Sequence, residues 1–492
     1  MVTLVSTMHR NREPLFHCAV YIELIASDYD SLKLLQTDVL TELVRSKLNV
    51  DRLILRQQQG FLSVSPSGRN IFGIQFERVL PASSVANLYP FNYSGKTDTN
   101  GFYLGRDKFG SNIIVDFDRR DDDKTNPCIL ILGNSGQGKS YLLKLILCNI
   151  LESGKSVICL DPEDEYQDLA ENIGGCFVDL MSGEYMINPL EPKTWDEGGS
   201  PEDKDAPIAF RQATKLSQHI SFLKDFFRSY KDFDDKHIDV IEIMLGKLYR
   251  KYKISDSTDF SRLESNEYPI LSDLYQLIEE EYKGYDSDKH QLYTKELLQE
   301  ILLGLHSMCQ GAESKFFNGH TNITSNRFIV FGVKGLLQAS KNVKNALLFN
   351  VLSFMSDKLL TEGNTAAGID ELYLFLTNLT AIEYIRNFMK RVRKKESAVI
   401  LSSQNLEDFN IEGIRELTKP LFSIPAHVFL FNAGNIDKKF YIDTLQLEES
   451  EYNLIKFPQR GVCLYKCGNE RYNLAVHAPT YKEKLFGKAG GR

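Results

Sequence analysis

The octapeptide GNSGQGKS, residues 133–140, constrains the fold of this chain more than any other feature of its sequence. It fits G-x-x-x-x-G-K-[ST], the loop that cradles the phosphate groups of a nucleotide. Ordinary residue frequencies produce such a match by chance roughly 0.02 times in a chain of this length. The motif predicts a buried strand that ends at the loop and a helix that begins in it, and the alternative is a glycine turn before an ordinary helix.

The sequence on either side of the loop fits the first of these structures. CILIL (128–132) is a short apolar strand, and YLLKLILCNIL (141–151) has the spacing of an amphipathic helix. The glycines permit a left-handed backbone and close approach, so that successive N–H groups and the helix N-terminus face the phosphates. The predicted nucleotide contacts come from Gly133, Asn134, Ser135, Gly136, Gln137, Gly138, Lys139, Ser140 and Tyr141.

Hydrolysis needs more than a phosphate loop. Lys139 is expected to reach the β and γ phosphates of the nucleotide, and Ser140 to hold Mg²⁺. A carboxylate pair follows in IDELYLFL, where Asp370 would contact Mg²⁺ through water and Glu371 would act as the general base. The preceding AAGI (366–369) is a weakly apolar strand, so the alternative is a surface turn with two acids.

A polar residue at the tip of a buried strand beside the acids is where a γ-phosphate sensor is expected. Gln404 follows the apolar strand AVILSS (398–403) and is the predicted sensor. Ser402 and Ser403 are rivals for this role, and an ordinary strand-end cap is the alternative.

The basic stretch KRVRKKE (390–396) is the most concentrated in the chain. Such a stretch is most often a solvated helix face. In a ring it could supply Arg391 or Arg393 to a neighbour's nucleotide as an arginine finger, or it could contact DNA phosphates. Arg460 and Arg471 are the outside candidates for the finger.

A second acidic group lies in LDPEDEY (160–166), after the strand SVICLD. Asp161, Glu163 and Glu165 lie on the same side of a parallel sheet as the phosphates. They could assist the nucleotide or a pore contact, and capping the next helix is an equal alternative.

Composition sets the broad class. The 492 residues are 42% apolar and 25% charged, enough for a large core and two or three domains. The net charge of −8 argues against coating nucleic acid through bulk electrostatics, so any DNA contact must be local. The sequence has no run of eighteen apolar residues and no signal-peptide pattern at its start, so we expect a cytoplasmic protein without a membrane span.

The pattern changes along the chain predict four parts. Residues 1–95 are predicted to form a small α+β domain, with extended runs at 17–27 and 51–66 around a helix. Strands alternate with helices as in a mostly parallel α/β sheet, in two parts separated by an all-helical insertion. The two sheet parts and the insertion are predicted at 96–200, 323–492 and 201–322, respectively.

Taken in order, these elements resemble the VirB-type (TraE/TraC-like) ATPases of type IV secretion and conjugation systems, within the FtsK/HerA group of ring motors. The resemblance covers roughly residues 100 to 480. The matching pieces are GFYLGRD, GNSGQGKSYLLK, LDPEDEYQDLAENIGG, INPLEP, the helical insertion, IDELYLFL, RNFMKRVRKKES, SSQNLEDF and the C-terminal strands.

The resemblance implies a RecA-like motor domain that binds ATP and Mg²⁺ and assembles into dimers or hexamers. It also implies an N-terminal domain that docks on inner-membrane and coupling proteins of the secretion system, at the cytoplasmic face of the membrane. ATP rather than GTP rests on the resemblance alone. The N-terminal portion of about 100 residues is shorter than this family usually carries, so we expect a truncated or a short member.

Three functions remain open on this evidence. The leading one is a motor that powers assembly of, or substrate transfer through, a conjugative secretion channel. The second is a DNA-translocating helicase of the HerA kind, which the acidic net charge and long helical insertion disfavour. The third is a scaffold that binds ATP to set its oligomeric state with little turnover.

Overall fold

A computed structural model gives the fold of the chain within residues 14–488. It describes these residues apart from 46, 67, 87–94, 193–214, 287–291, 324–325, 377–378, 405, 407–408, 410–414, 433, 435–436 and 458. The chain divides into two compact units, Met1–Tyr93 and Ser94–Arg492.

The N-terminal unit is of the α+β type, but its elements differ from those that the sequence predicts. Strand β1 pairs antiparallel with strand β2, and the predicted extended run at 51–66 is wrong, because its second half forms a helix. Three successive glutamines at the start of this helix favour the helical backbone. The elements are β1 (Leu15–Cys18), α1 (Tyr29–Arg45), α2 (Gln57–Val64), β2 (Arg78–Pro81) and α3 (Ala82–Ala86).

The second unit is built on a sheet of twelve described strands. The strands are β3 (Lys96–Thr97), β4 (Phe102–Asp107), β5 (Asn112–Val115), β6 (Ile129–Leu132), β7 (Ser156–Asp161), β8 (Cys176–Asp179), β9 (Phe328–Gly332), β10 (Thr365–Ile369), β11 (Ala398–Ser403), β12 (His427–Leu430), β13 (Val462–Cys467) and β14 (Glu470–Val476). Their order across the sheet is β3-β5-β4-β14-β13-β12-β6-β11-β10-β7-β9-β8. The predicted hairpin at 101–118 is confirmed as β4 and β5.

The seven strands from β12 to β8 run parallel, so their carboxyl ends meet at one edge of the sheet. Strand β6 lies between β11 and β12, and β10 lies between β7 and β11. Strands on both sides of β6 are buried on both faces, as a parallel sheet covered by helices requires. The edge formed by these carboxyl ends is called the catalytic edge below.

Helices cover both faces of the sheet. The helix after the phosphate loop, α4 (Lys139–Glu152), packs with α5 (Gln167–Ile173) on one face, against Ile129 and Ile131. The alternate residues Leu130 and Leu132 face the other layer. That layer contains α6 (Lys215–Tyr230), α7 (Asp235–Lys251), α8 (Leu271–Lys283), α9 (Lys295–Cys309), α10 (Ser314–Phe317), α11 (Lys334–Leu337), α12 (Lys341–Asp357), α13 (Leu379–Arg391), α14 (Arg415–Ser423), α15 (Lys438–Leu445) and α16 (Glu449–Ile455).

The strand before the acid pair is fully buried although its sequence is weakly apolar. All five residues of β10 are buried, and the strand pairs with both β7 and β11. A Cβ atom on Gly368 would lie 3.3 Å from Leu147 Cδ2 and 3.5 Å from Cys159 Sγ. The small side chains of β10 therefore let α4 pack closely on the sheet, which is why the strand looks weak from hydropathy alone.

A short C-terminal segment, residues 478–488, covers the outer side of α4 and includes α17 (Thr480–Glu483). Tyr141 Oη donates to Glu483 Oε1 at 2.6 Å, and the buried Lys144 Nζ donates to the Phe486 carbonyl at 3.0 Å. Phe486 packs edge-on against the Tyr141 ring. The first two turns of α4 are therefore fixed between the sheet and this segment.

Candidate nucleotide-binding site

The phosphate loop joins β6 to α4 at the catalytic edge. Gly133 has φ 150° and would place a Cβ atom 2.5 Å from Phe431 Cβ, so only glycine fits this close approach to β12. Gly138 has φ 108° and is the N-cap of α4, where a left-handed backbone is required. These two glycines explain the spacing of the motif in physical terms.

Neighbouring segments hold the loop from outside. The N–H of Gly133 donates to the Ser403 carbonyl at 3.3 Å, and that of Asn134 to the Asn432 carbonyl at 2.9 Å. The N–H of Gly461 donates to the Gln137 carbonyl at 2.8 Å. The loop is thus bonded to the ends of β11 and β12 and to the start of the C-terminal hairpin. Of its other predicted contact residues, Ser135 and Gly136 are exposed and Ser140 is half-buried in the first helical turn.

Lys139 is buried at the base of the loop. Its side chain is 5% exposed, and Nζ donates to the Asn134 carbonyl at 3.3 Å. Burial lowers the pKa of Lys139, while the charges of Glu371, Asp370 and Glu165 act in the opposite sense. The lysine therefore lies among three carboxylates, two of which are the predicted acid pair.

The acid pair follows β10 at the catalytic edge. Glu371 Oε1 accepts a hydrogen bond from Gln404 Nε2 at 2.5 Å, which joins the end of β10 to the end of β11. Burial raises the pKa of Glu371, whereas the bond from Gln404 and the charge of Lys139 lower it. The structure therefore brings Lys139, Glu371 and Gln404 together at one place, as the sequence led us to expect.

The rivals of Gln404 lie inside the sheet. Ser402 and Ser403 are both fully buried, and their hydroxyl groups have no hydrogen-bond partner among the described residues. They pair with Ile131 and Leu132 of β6. Of the three, Gln404 is the one that contacts the acid pair.

Asp370 is held more tightly than Glu371. It is 4% exposed, and its Oδ2 accepts a hydrogen bond from Tyr166 Oη at 2.8 Å. Its Oδ1 accepts from the N–H of Glu371 at 3.0 Å. This carboxylate therefore has a fixed orientation beside β7.

The turn after β7 is organised by Asp161. Its Oδ1 accepts from the N–H groups of Glu163 and Glu165 at 3.2 Å, and its Oδ2 from that of Tyr166 at 2.8 Å. Burial raises the pKa of Asp161 to about 6, and the charge of Asp370 adds to this effect. Asp161 therefore holds the turn before α5, whereas the N-cap of α5 itself is Tyr166 and receives no side-chain bond.

Most of the other predicted residues lie away from this cluster. The hydroxyl of Tyr141 is bonded in the C-terminal segment. Arg391 and Arg393 are exposed at the end of α13, which precedes β11, so they lie at the edge of the sheet opposite the phosphate loop of their own chain. Arg471 lies at the same opposite edge, where its Nε donates to Glu451 Oε1 at 2.7 Å. Arg460 directly precedes Gly461 and therefore lies beside the phosphate loop.

The donors at the catalytic edge fit a Mg²⁺ ion with a nucleotide triphosphate. Hydroxyl and carboxylate oxygens are the ligands that Mg²⁺ prefers, and Ser140 and, through water, Asp370 could provide them. Glu371 Oε2, Glu165 Oε2 and Gln137 Oε1 are buried atoms without a hydrogen-bond partner among the described residues. Unpaired buried polar atoms are rare in folded proteins, and a bound ion or ligand would give these three atoms partners.

The hydrogen bond between Tyr166 and Asp370 is not predicted from the sequence. Tyr166 stands in the quoted LDPEDEY stretch, yet only the acids of that stretch were candidates. A tyrosine directly after a strand-end acidic turn is the one signal that the sequence offers. Its partner Asp370 lies 204 positions later, so the pairing is invisible without the fold.

Comparisons with known proteins identify the fold and the family. The family model described as "Helicase HerA, central domain" matches residues 124–422, more than half of the chain. The solved structure of VirB4 of Thermoanaerobacter pseudethanolicus is 28% identical with a TM-score of 0.67, and the match covers 80% of this chain and 100% of that one. The predicted RecA-like motor fold is thereby confirmed.

Two curated proteins are also similar to this chain in sequence. An uncharacterized Bacillus anthracis protein, pXO2-09, is 23% identical over 460 residues, which cover 82% of this chain and 68% of the relative. Protein TraC of Escherichia coli (strain K12) is 34% identical over 96 residues, which cover 20% of this chain and 11% of TraC. The TraC match and the VirB4 match confirm the predicted resemblance to VirB-type ATPases of type IV secretion and conjugation systems. The chain belongs to the family of the HerA helicase central domain, within the FtsK/HerA group of phosphate-loop ATPases.

Proposed function

We propose that this protein is a Mg²⁺-dependent ATPase motor that energises a type IV secretion or conjugative DNA transfer apparatus, in its assembly or in substrate transfer. The observation that carries the proposal is the bond between Gln404 and Glu371 beside the buried Lys139. A γ-phosphate sensor and a general base must be coupled in a motor, because hydrolysis has to change the protein's conformation. Here the two side chains are in direct contact.

The chemistry follows from the residues at the catalytic edge. A water oxygen attacks the γ-phosphorus, Glu371 accepts the water's proton, and the bond from phosphorus to the bridging oxygen of ADP breaks. Burial raises the pKa of Glu371, which brings a carboxylate closer to the operating pH of a base. Lys139 binds the β and γ phosphates. When bound by Ser140 and Asp370, Mg²⁺ would neutralise charge on the phosphate oxygens.

Phosphoryl transfer also uses an arginine that stabilises charge in the transition state, and neither Arg391 nor Arg393 lies at the catalytic edge of its own chain. These arginines lie at the opposite edge, where a neighbouring subunit's nucleotide could be contacted. We therefore propose that one of them acts in trans within a dimer or a hexamer. Inner-membrane and coupling proteins of the secretion system are the proposed partners of the N-terminal unit.

We place the motor in the cytoplasm, peripheral to the inner membrane. Among the described residues, the helices are all too short or too polar to cross a bilayer. We propose that partner proteins attach the motor at the membrane's cytoplasmic face.

Paired variants test the proposal. Glu371→Gln keeps the size of the side chain, so we expect nucleotide binding within about threefold of wild type and a kcat at least ~100-fold lower. Lys139→Ala is expected to abolish nucleotide binding. An unchanged turnover in Glu371→Gln, together with lost binding in Lys139→Ala, would instead establish the nucleotide-regulated scaffold.

The family match favours one other function, a DNA translocase of the HerA kind. The exposed basic residues of 390–396 offer a local DNA contact despite the net charge of −8. The test measures whether duplex DNA stimulates the ATPase. A stimulation that falls steeply between about 50 and 200 mM salt, as expected when phosphate contacts are screened, would establish the translocase. We expect no such stimulation.

A further inference from the structure

We propose that Tyr166 is a positioning residue that fixes the orientation of Asp370 for the metal side of the site, an inference that rests on the proposed function. Tyr166 is fully buried, Asp370 is 4% exposed, and Tyr166 Oη lies 2.8 Å from Asp370 Oδ2. The hydroxyl is the donor, because a carboxylate can only accept.

Each oxygen of the Asp370 carboxylate has one fixed donor. Oδ2 accepts from Tyr166, and Oδ1 accepts from the N–H of Glu371 at 3.0 Å. The last torsion of an aspartate is broad, so bonds of this kind are needed to hold the carboxylate plane. Each oxygen retains a second lone pair, and these remain available to a metal-bound water.

Tyr166 is itself rigid. Its N–H donates to Asp161 Oδ2 at 2.8 Å, which ties the residue to the end of β7. Its ring belongs to the core between the sheet and α4, and Lys144 Nζ lies 5.5 Å from the ring centre. The backbone bond to Asp161 and the packing of the ring therefore fix the position of the Tyr166 hydroxyl.

Groups that orient metal ligands in this way contribute strongly to metal binding. Their removal typically weakens metal affinity by about 10- to 100-fold, even though they do not touch the metal. Tyr166→Phe removes one oxygen and keeps the ring, so it isolates this contribution. We expect the Mg²⁺ concentration that half-saturates nucleotide binding to rise about tenfold.

The matched control is Tyr249→Phe. Tyr249 is also fully buried, and its hydroxyl donates to the Leu190 carbonyl at 2.8 Å, in the helical layer away from the catalytic edge. Tyr249→Phe therefore removes a similar buried hydrogen bond, but one that does not involve Asp370 or Glu371. We expect the Mg²⁺ dependence of nucleotide binding to stay at the wild-type value in this variant.

The experiment titrates Mg²⁺ into full-length protein with a fluorescent ADP analogue and measures binding, not turnover. Binding of the analogue without Mg²⁺ is expected to stay within about twofold of wild type in Tyr166→Phe. A second test compares the Asp370→Asn variant with the double variant that also carries Tyr166→Phe. The two are expected to have the same Mg²⁺ affinity, because the hydroxyl acts through Asp370. If Tyr166→Phe fails to fold, Tyr166→Met carries the same test, since methionine fills the space without a hydroxyl.

Two results overturn the inference. One is an unchanged Mg²⁺ half-saturation in Tyr166→Phe, and the other is a loss of equal size in Tyr249→Phe. Both leave the proposed function standing. Failure of the proposed function is recognised separately, because wild-type protein would then bind the analogue without any dependence on Mg²⁺.

Discussion

At the scale of single residues, Glu371 has an unusual backbone. Its φ of 45° lies in the left-handed region, which costs a non-glycine residue about 1–2 kcal/mol. Strained backbone of this kind persists where the surroundings over-determine it, and it clusters at functional sites. In this chain the strain turns Glu371 away from the line of β10, while the preceding Asp370 stays beside β7.

The bond between Gln404 and Glu371 yields a testable expectation. Gln404→Ala removes the donor to Glu371 Oε1, so the proposed general base loses its orientation while the phosphate loop is untouched. We expect kcat to fall about 10- to 100-fold with a KM for ATP within about threefold. Steady-state ATPase assays measure both constants.

The control for this variant is Gln167→Ala. Gln167 Nε2 donates to the exposed Glu171 Oε1 at 2.9 Å, an equivalent amide-to-carboxylate bond away from the cluster. Its loss is expected to leave both constants at their wild-type values. A Gln404→Ala variant as active as Gln167→Ala would contradict the coupling of sensor and base.

At the scale of elements, the sequence predicts structure best where the determinants are local. The phosphate loop, β6 and α4 follow from adjacent residues, because glycine spacing and apolar periodicity act over a single turn. The hydropathy of β10 is too low to predict a buried strand. The strand is stabilised by β7, β11 and α4, which are distant from it in the sequence. The N-terminal helix Gln57–Val64 was mistaken for an extended run because short apolar runs fit either period.

The first residue of β12 makes stability depend on pH. His427 is buried, with Nδ1 2.8 Å from Tyr465 Oη. Burial, followed by the cations Arg120, Lys124 and Lys96, lowers its pKa to about 3, and Asp98 acts in the opposite sense. Because the folded-state pKa lies below the unfolded value of about 6.5, the contribution to stability is present above that pH and is lost as pH falls toward 3.

Replacing this histidine should remove the dependence. Relative to His427→Gln, wild-type protein is expected to lose about 1.4 kcal/mol of unfolding free energy per pH unit below 6.5. Urea unfolding at pH 7.5, 6 and 5 measures the difference. The exposed His306 is the control, since His306→Gln removes a histidine without opening the core. Parallel curves for wild type and His427→Gln would contradict the expectation.

Helix α7 of the insertion offers a stabilising change. Gly246 lies inside this helix, and an added Cβ atom would meet no atom within 4 Å. Gly246→Ala is therefore expected to raise the unfolding free energy by about 0.5–1 kcal/mol. Gly304→Ala in α9 is the counterpart, because its Cβ atom would lie 2.7 Å from the Phe233 ring. Denaturant unfolding measures both variants. If the unfolding free energy changes equally in the two, the room for the added Cβ atom does not determine the effect.

At the scale of the whole molecule, the proposed trans arginines make activity a property of the assembly. A Lys139→Ala subunit has no working site of its own but keeps Arg391 and Arg393 at its opposite edge. A subunit with both arginines replaced by alanine keeps its site but cannot complete a neighbour's. Each variant alone is expected to be inactive, and their mixture is expected to regain part of the ATPase activity.

A separate arginine variant is the control for the mixing experiment. Arg262→Ala removes an 84%-exposed arginine side chain that is paired with Asp259 in the helical layer, and it should be fully active alone. Activity that fails to return in the first mixture, with subunits shown to associate by light scattering, would argue against a trans role for these arginines.

The order of strands in the sheet also decides when a newly made chain becomes competent. Strands β6 and β7, which carry the phosphate loop and the Tyr166 turn, are not neighbours, because β10 and β11 lie between them. Those two bridging strands begin at Thr365 and Ala398, long after the loop has left the ribosome. A nascent chain that ends before β10 therefore lacks the acid pair and Gln404, and it also lacks the carbonyl groups of Ser403 and Asn432 that hold the phosphate loop, so the site is assembled only after these later strands have been made.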